Sequence, residues 1–110
     1  MRWEKKNMKV TIIGCGRVGS RLAMRLAGGG HQISILDENR EAFTRLAADF
    51  PGITFQGSGL DSEVVKRTGI FDAEVVFALT GGDNRNLMIA QIFKHKFGVQ
   101  RVVARLHDPV

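Results

Sequence analysis

From Lys9 onward, short apolar runs alternate with longer amphipathic ones. Val10-Thr11-Ile12-Ile13 is rich in β-branched residues and stops at a glycine, which predicts a buried strand. Val18, Leu22, Ala23 and Leu26 then recur at helical spacing until Gly28-Gly29-Gly30 ends the run. Residues 32–36 form the second predicted strand. Residues 40–48 form a second predicted helix, with Phe43, Leu46 and Ala47 facing inward and Asn39 as its N-cap. Ile53-Thr54-Phe55 is the third strand, and residues 62–67 make a short helix closed by Gly69. Residues 73–79 are nearly all apolar, as a central parallel strand covered on both faces should be. A long helix follows over residues 83–97, carrying Leu87, Ile89, Ala90, Ile92 and Phe93, and residues 101–106 complete a fifth strand. Strands separated by helices require right-handed crossovers and hence a parallel sheet. The expected architecture is α/β: a doubly wound parallel sheet of order 3-2-1-4-5, with its ligand crevice where that order reverses.

Composition narrows this picture without redirecting it. A chain of 110 residues, 44% apolar and 25% charged, suits a single soluble domain. Residues 1–7 are polar and read as a short extension, leaving 8–110 as the domain. No apolar run approaches the roughly 18 residues of a membrane span. Residues 8–13 are too short for a secretory core, so a cytoplasmic location is expected. A lone cysteine, Cys15, excludes an internal disulfide. The net charge of +5 raises the question of nucleic acid. The cations are scattered, however, over Arg17, Arg21 and Arg25, then Lys94 and Lys96, then Arg101 and Arg105. They are not interleaved with stacking aromatics, so nucleic acid is not an expected partner. His31, His95 and His107 show no metal-ligand spacing.

The candidate chemistry lies in Gly14-Cys15-Gly16-Arg17-Val18-Gly19. A strand precedes this turn, a helix follows it, and an acid ends the second strand, which is the context of a Rossmann dinucleotide fingerprint. Gly14 permits the tight turn, Gly16 lets the backbone approach a pyrophosphate, and Gly19 lets the helix pack on the sheet. The helix N-terminus supplies the anion site. Asp37 lies where a ribose-binding carboxylate belongs. It would also repel a 2′-phosphate, favouring NAD or adenosine phosphates over NADP, although Arg40 stands nearby. Its bland alternative is an N-cap, and Asn39 is equally suited to cap or to share the ribose. Cys15 is expected to be a small core filler rather than a reactive thiol.

Residues 8–19 resemble the opening of the regulator-of-potassium-conductance (KTN, TrkA-N) family. Leu36-Asp37-Glu38-Asn39, Gly57-Ser58-Gly59-Leu60-Asp61, Ala78-Leu79-Thr80 with Asp83-Asn84-Arg85-Asn86-Leu87, and Val103-Ala104-Arg105-Leu106-His107-Asp108-Pro109 continue the likeness over nearly the whole chain. The resemblance implies a regulatory module that binds NAD(H), ATP, ADP or AMP without turnover. It also implies pairing into dimers, further assembly into rings, and gating of a potassium channel or transporter membrane subunit. In the family a sixth strand, a crossover helix and often a C-terminal lobe follow, so the chain reads as an N-terminal domain or a small stand-alone subunit. The candidate site is the whole glycine turn, Asp37, Glu38 and Asn39, Gly57 and Ser58, Thr80 and Gly81, and Arg105. Arg17 matches the family's arginine after the second glycine and suits terminal phosphates. Ser58 stands where the family usually has aspartate. It fits a weak adenine contact or, with Asp61, a capping box. Thr80 and Gly81 would offer backbone groups to phosphates or the second ribose, whereas Asn84 and Asn86 equally suit simple helix capping.

Phe93, Phe97 and Val99 are expected to be exposed as a dimer seam. The rival reading is the cofactor half of an NAD-dependent oxidoreductase, which would need a substrate domain. A transcription regulator would need a helix-turn-helix, and the pattern contains none.

Overall fold

The computed structural model describes residues 7–107. Most of the expected N-terminal extension, and Asp108 and Pro109, lie outside the described residues. Five parallel strands form one sheet: β1 (Lys9–Ile13), β2 (Gln32–Asp37), β3 (Ile53–Gln56), β4 (Val75–Ala78) and β5 (Arg101–Ala104). Their spatial order is β3-β2-β1-β4-β5, the doubly wound order expected from the alternating pattern. In register, Ile13 lies beside Leu36 and Ala78, so the strands finish together at one end of the sheet.

Side-chain alternation on the central strand builds two cores. Val10 and Ile12 face the layer completed by Ala23, Ile33, Ile35 and Ala42. Ile13 faces Leu36, Val65, Val76, Ile89 and Phe93 on the other side. Helix α1 (Arg17–Gly28) covers the first face through Ala23. Helices α2 (Ser62–Thr68) and α3 (Asp83–Gln91) cover the second through Val65 and Ile89. Thr11 is polar yet buried, and its hydroxyl donates to the carbonyl of Ile70 at 2.7 Å, so its burial leaves no orphan.

Three expectations need correction. Residues 40–48 do not form an α-helix, because only a 3-10 segment, Arg40–Arg45, is present. The carbonyls that would continue an α-ladder are taken elsewhere. That of Glu41 accepts the Thr44 hydroxyl at 2.8 Å, and that of Ala42 faces the Cys15 thiol at 3.4 Å. Ala42 is accordingly the buried residue there, while Ala47 is exposed. The helix expected over 83–97 is α-helical only to Gln91 and then widens into a π-turn, Ile92–Lys96. That turn carries Phe93 into the core, completely buried, with Val99 4% exposed. Phe97 stacks on Phe71 at 5.2 Å. Phe93 and Val99 are therefore interior and Phe97 is half-buried, so the three do not form an exposed seam. The large apolar side chains that do face outward include Leu87, Met88, Val103 and Leu106, on α3 and along β5 and its exit. Among the described residues no helix is long and apolar enough to cross a membrane.

Candidate functional site

The crevice opens where β1 separates the β2 half of the sheet from the β4 half. A cavity of about 310 Å³ lies there, lined by Gly14, Gly16, Asp37, Glu38, Asn39, Gly57, Thr80, Gly81 and Arg85, over a floor that includes Ile13, Leu36 and Ile89. A larger hollow, about 530 Å³, lies at the opposite end of the sheet among Lys9, Gly30, Gln32 and Pro51. The helices begin at the other end, so only the smaller cleft receives positive helix termini.

The glycine turn owes its shape to what is missing from it. Gly14 has φ +112°, and a Cβ there would stand 2.7 Å from the carbonyl oxygen of Leu79. A Cβ on Gly19 would stand 1.9 Å from the carbonyl oxygen of Gly14, so that glycine fixes the closeness of α1 to the turn. Gly16 and Gly81 differ: nothing lies within 4 Å of an added Cβ at either. No packing demand explains them, and both face the cleft. Gly16 caps α1 with no side-chain hydrogen bond, and the first turn holds no acid. An uncapped helix start with a clear approach is a ready anion site.

Asp37 does more locally than end a strand. Its Oδ2 accepts the Cys15 amide at 2.7 Å and its Oδ1 accepts the Asn39 amide at 2.8 Å. One cradle amide is thus already committed to the carboxylate that would hold a ribose, which locks the turn to β2. Helix capping falls instead to Asn39, whose Oδ1 accepts the Glu41 amide at 3.0 Å. Cys15 points into the core and is fully buried. Burial, with the Asp37 carboxylate adding to it and Arg45 opposing, pushes its thiol up to about 11, the reverse of an activated thiol.

Arg17, Val18 and Arg105 lie one step outward. With Gly16, Gly81 and Arg45 they line a shallow basin adjoining the cleft. Three guanidinium groups around one basin make it strongly anion-seeking. The Nε of Arg105 is buried and has no hydrogen-bond partner among the described residues. Its Nη2 lies 2.6 Å from Nε2 of His107. Ser58 is not among the cavity-lining residues. Its hydroxyl accepts the Leu60 amide at 3.1 Å, and the expected capping box is not made because Asp61 caps α2 itself, accepting from Glu63.

Sequence reasoning undervalued Asn86 and missed Arg45 and Arg85. Asn86 is completely buried. Its Oδ1 accepts the Thr80 amide at 2.8 Å and the Thr80 hydroxyl at 2.6 Å. Its Nδ2 donates to the carbonyls of Thr80 at 3.1 Å and Arg105 at 2.9 Å. This one amide ties the end of β4 to the exit of β5. Arg85 pairs with Glu38 across the cleft at 2.5 Å. No spacing rule connects residues so distant in sequence, so only a composition-level hint, two exposed opposite charges near candidate loops, was available.

Residues 10–110 match the TrkA-N domain family. A Trk system potassium uptake protein TrkA of Streptomyces coelicolor is 39% identical over 102 residues, which cover 93% of this chain and 46% of that protein. A TrkA homologue of Pyrococcus abyssi is 30% identical over the same length, covering 45% of its own chain. The chain thus spans about half the length of the curated relatives it matches. Among solved structures, the Kef C-terminal domain of Shewanella denitrificans in its AMP-bound form superposes with a TM-score of 0.74 at 27% identity, covering 91% of this chain and 60% of that one. The NAD complex of the Bordetella bronchiseptica enzyme WbmG, at 21% identity and a TM-score of 0.68 over 90% of this chain and 37% of that one, shares the fold. With a matching glycine turn, sheet order and nearly full-length family match, the chain belongs to the TrkA-N domain family.

Proposed function

We propose that this chain is the nucleotide-sensing domain of a potassium transport system. It binds NAD(H) or an adenine nucleotide (ATP, ADP or AMP) in the β1/β4 crevice without turning it over. Ligand exchange then alters how the domain meets its copies and a potassium channel or transporter subunit at the inner face of the membrane. The observation that carries this reading is the open glycine turn. Gly16 and Gly81 leave clear space beside an uncapped helix start, in a cleft that Asp37 also lines. In this reading Asp37 accepts the ribose hydroxyls and rejects a 2′-phosphate. The amides after Gly16 hold the diphosphate. Arg17, Arg45 and Arg105 receive whatever phosphates extend beyond it, which favours adenosine polyphosphates. The AMP-bound Kef domain and the potassium uptake relatives support a sensor over an enzyme. The outward apolar residues of α3 and β5 (Leu87, Met88 and Val103) suit self-association into a dimer.

Replacing Asp37 tests the reading directly. Charge-assisted hydrogen bonds are each worth about 1.5–3 kcal/mol, so Asp37→Ala should weaken ADP or NADH binding by about 10- to 100-fold in titration calorimetry. A melting curve checks that the variant is folded. Unchanged affinity in a folded variant removes the ribose role. Sustained oxidation of NADH with small carbonyl substrates removes the sensor reading.

A further inference from the structure

The Glu38–Arg85 ion pair joins the two halves of the sheet over the cleft. Glu38 directly follows β2, and Arg85 lies in the first turn of α3. Their side chains are 53% and 49% exposed, and both line the cavity. They stand at its mouth, above a floor where Ile13, Leu36 and Ile89 are at most 2% exposed. Asp37, Thr80 and Gly81 line the same cavity as this pair, so a ligand spanning them shares the cleft with it. The cavity beneath, about 310 Å³, is at the lower limit of small-molecule sites, which run from roughly 300 to 1,000 Å³.

We propose that Glu38 and Arg85 form a strap across the mouth of the nucleotide cleft, which must part for a nucleoside phosphate to enter or leave. The inference rests on the nucleotide-binding reading above. An exposed ion pair is weakly held, so the strap opens readily and restrains exchange by a modest factor. Because it closes over the empty and the filled site alike, it slows entry and release together. It is a kinetic restraint, and a direct ligand contact would behave differently.

The test is stopped-flow fluorescence with NADH and with etheno-ADP as probes. The variant is Glu38→Gln combined with Arg85→Gln, which breaks the pair at constant net charge and so cancels changes in electrostatic steering. Association and dissociation rates should both rise by about two- to fivefold, the range an exposed pair allows. The charge-swapped variant, Glu38→Arg with Arg85→Glu, should return both rates toward those of the wild type. Unchanged rates in the neutral variant overturn the strap, as does a swapped variant that stays fast. A lowered affinity with an unaltered association rate shows that the pair touches the ligand and overturns it as well. If neither probe binds the wild-type protein, the nucleotide reading falls and the strap with it. Binding with unaltered rates removes the strap alone.

Discussion

The two walls of the cleft are built on opposite plans. On the β1 side the shape depends on atoms that are missing, since Gly14 and Gly19 allow contacts that any side chain would forbid. On the β4 side it depends on one group that is present, the buried Asn86 carboxamide with its four hydrogen bonds. The first plan is local and leaves a fixed spacing in the sequence. The second joins segments that no local pattern connects. Each wall therefore fails differently when altered, and that difference is measurable.

The sharpest way to break the contrast is within the glycine turn itself. Gly19→Ala would set a Cβ 1.9 Å from a backbone oxygen, so the helix or the turn must move. The loss should exceed about 3 kcal/mol, at the severe end for single substitutions, and be visible in urea unfolding or as insoluble protein. Gly16→Ala meets nothing within 4 Å. Its stability should fall by only about 1 kcal/mol, the cost of alanine at an N-cap, while ADP or NADH affinity falls at least tenfold, about 1.4 kcal/mol, because the new methyl stands where a diphosphate would approach. Equal stability losses at the two positions would mean that Gly16 is a packing residue and not a reserved approach.

On the opposite wall, Asn86→Asp keeps the shape of the side chain and removes both of its donors. The carbonyls of Thr80 and Arg105 would then face a carboxylate oxygen. Unsatisfied buried groups cost about 1–3 kcal/mol each, so the two carbonyls together imply a loss of about 2–6 kcal/mol at pH 7. The substituted group is neutral once protonated and regains one donor, so the deficit relative to wild type should shrink as pH falls toward 4. A deficit that is small, or flat with pH, would show that the hydrogen-bonded knot does not hold this wall.

The same contrast explains what was legible in the sequence. All five strands and their order follow from β-branched runs bounded by glycines, and the glycine turn with Asp37 follows from spacing. The segment after Asn39 was misread because its apolar residues fit helical periodicity. Its carbonyls are nevertheless drawn off by Thr44 and by Cys15, a residue outside any local window. Phe93 and Val99 read as surface residues because the π-turn that rotates Phe93 inward has no period of its own. Asn86 looked like a cap because capping is what asparagines near helix starts ordinarily do. The Arg45 and Arg85 contributions depend on tertiary proximity alone. What stayed hidden is thus mostly side chains acting between distant segments.

The smallest effect concerns the one residue of the turn that faces inward. Cys15 packs beneath the β1 wall and its thiol is held at about 11, chiefly by burial. In the unfolded chain a cysteine titrates near its ordinary value of 9.0. Between these values the folded protein keeps a proton that the unfolded chain has released. The unfolded state thus binds fewer protons there, and stability from this group falls as pH rises from about 9 to about 11. Below pH 9 both states are protonated and the group is silent. Cys15→Ala should flatten that part of the alkaline stability curve measured by urea unfolding. The intact thiol should react with iodoacetamide at pH 8 at least about tenfold more slowly in the folded protein than in urea, because it is buried and its thiolate fraction is smaller. Fast alkylation of the folded protein would mean that the turn opens to solvent, and the β1 wall would then lack the rigidity that a preformed diphosphate cradle requires.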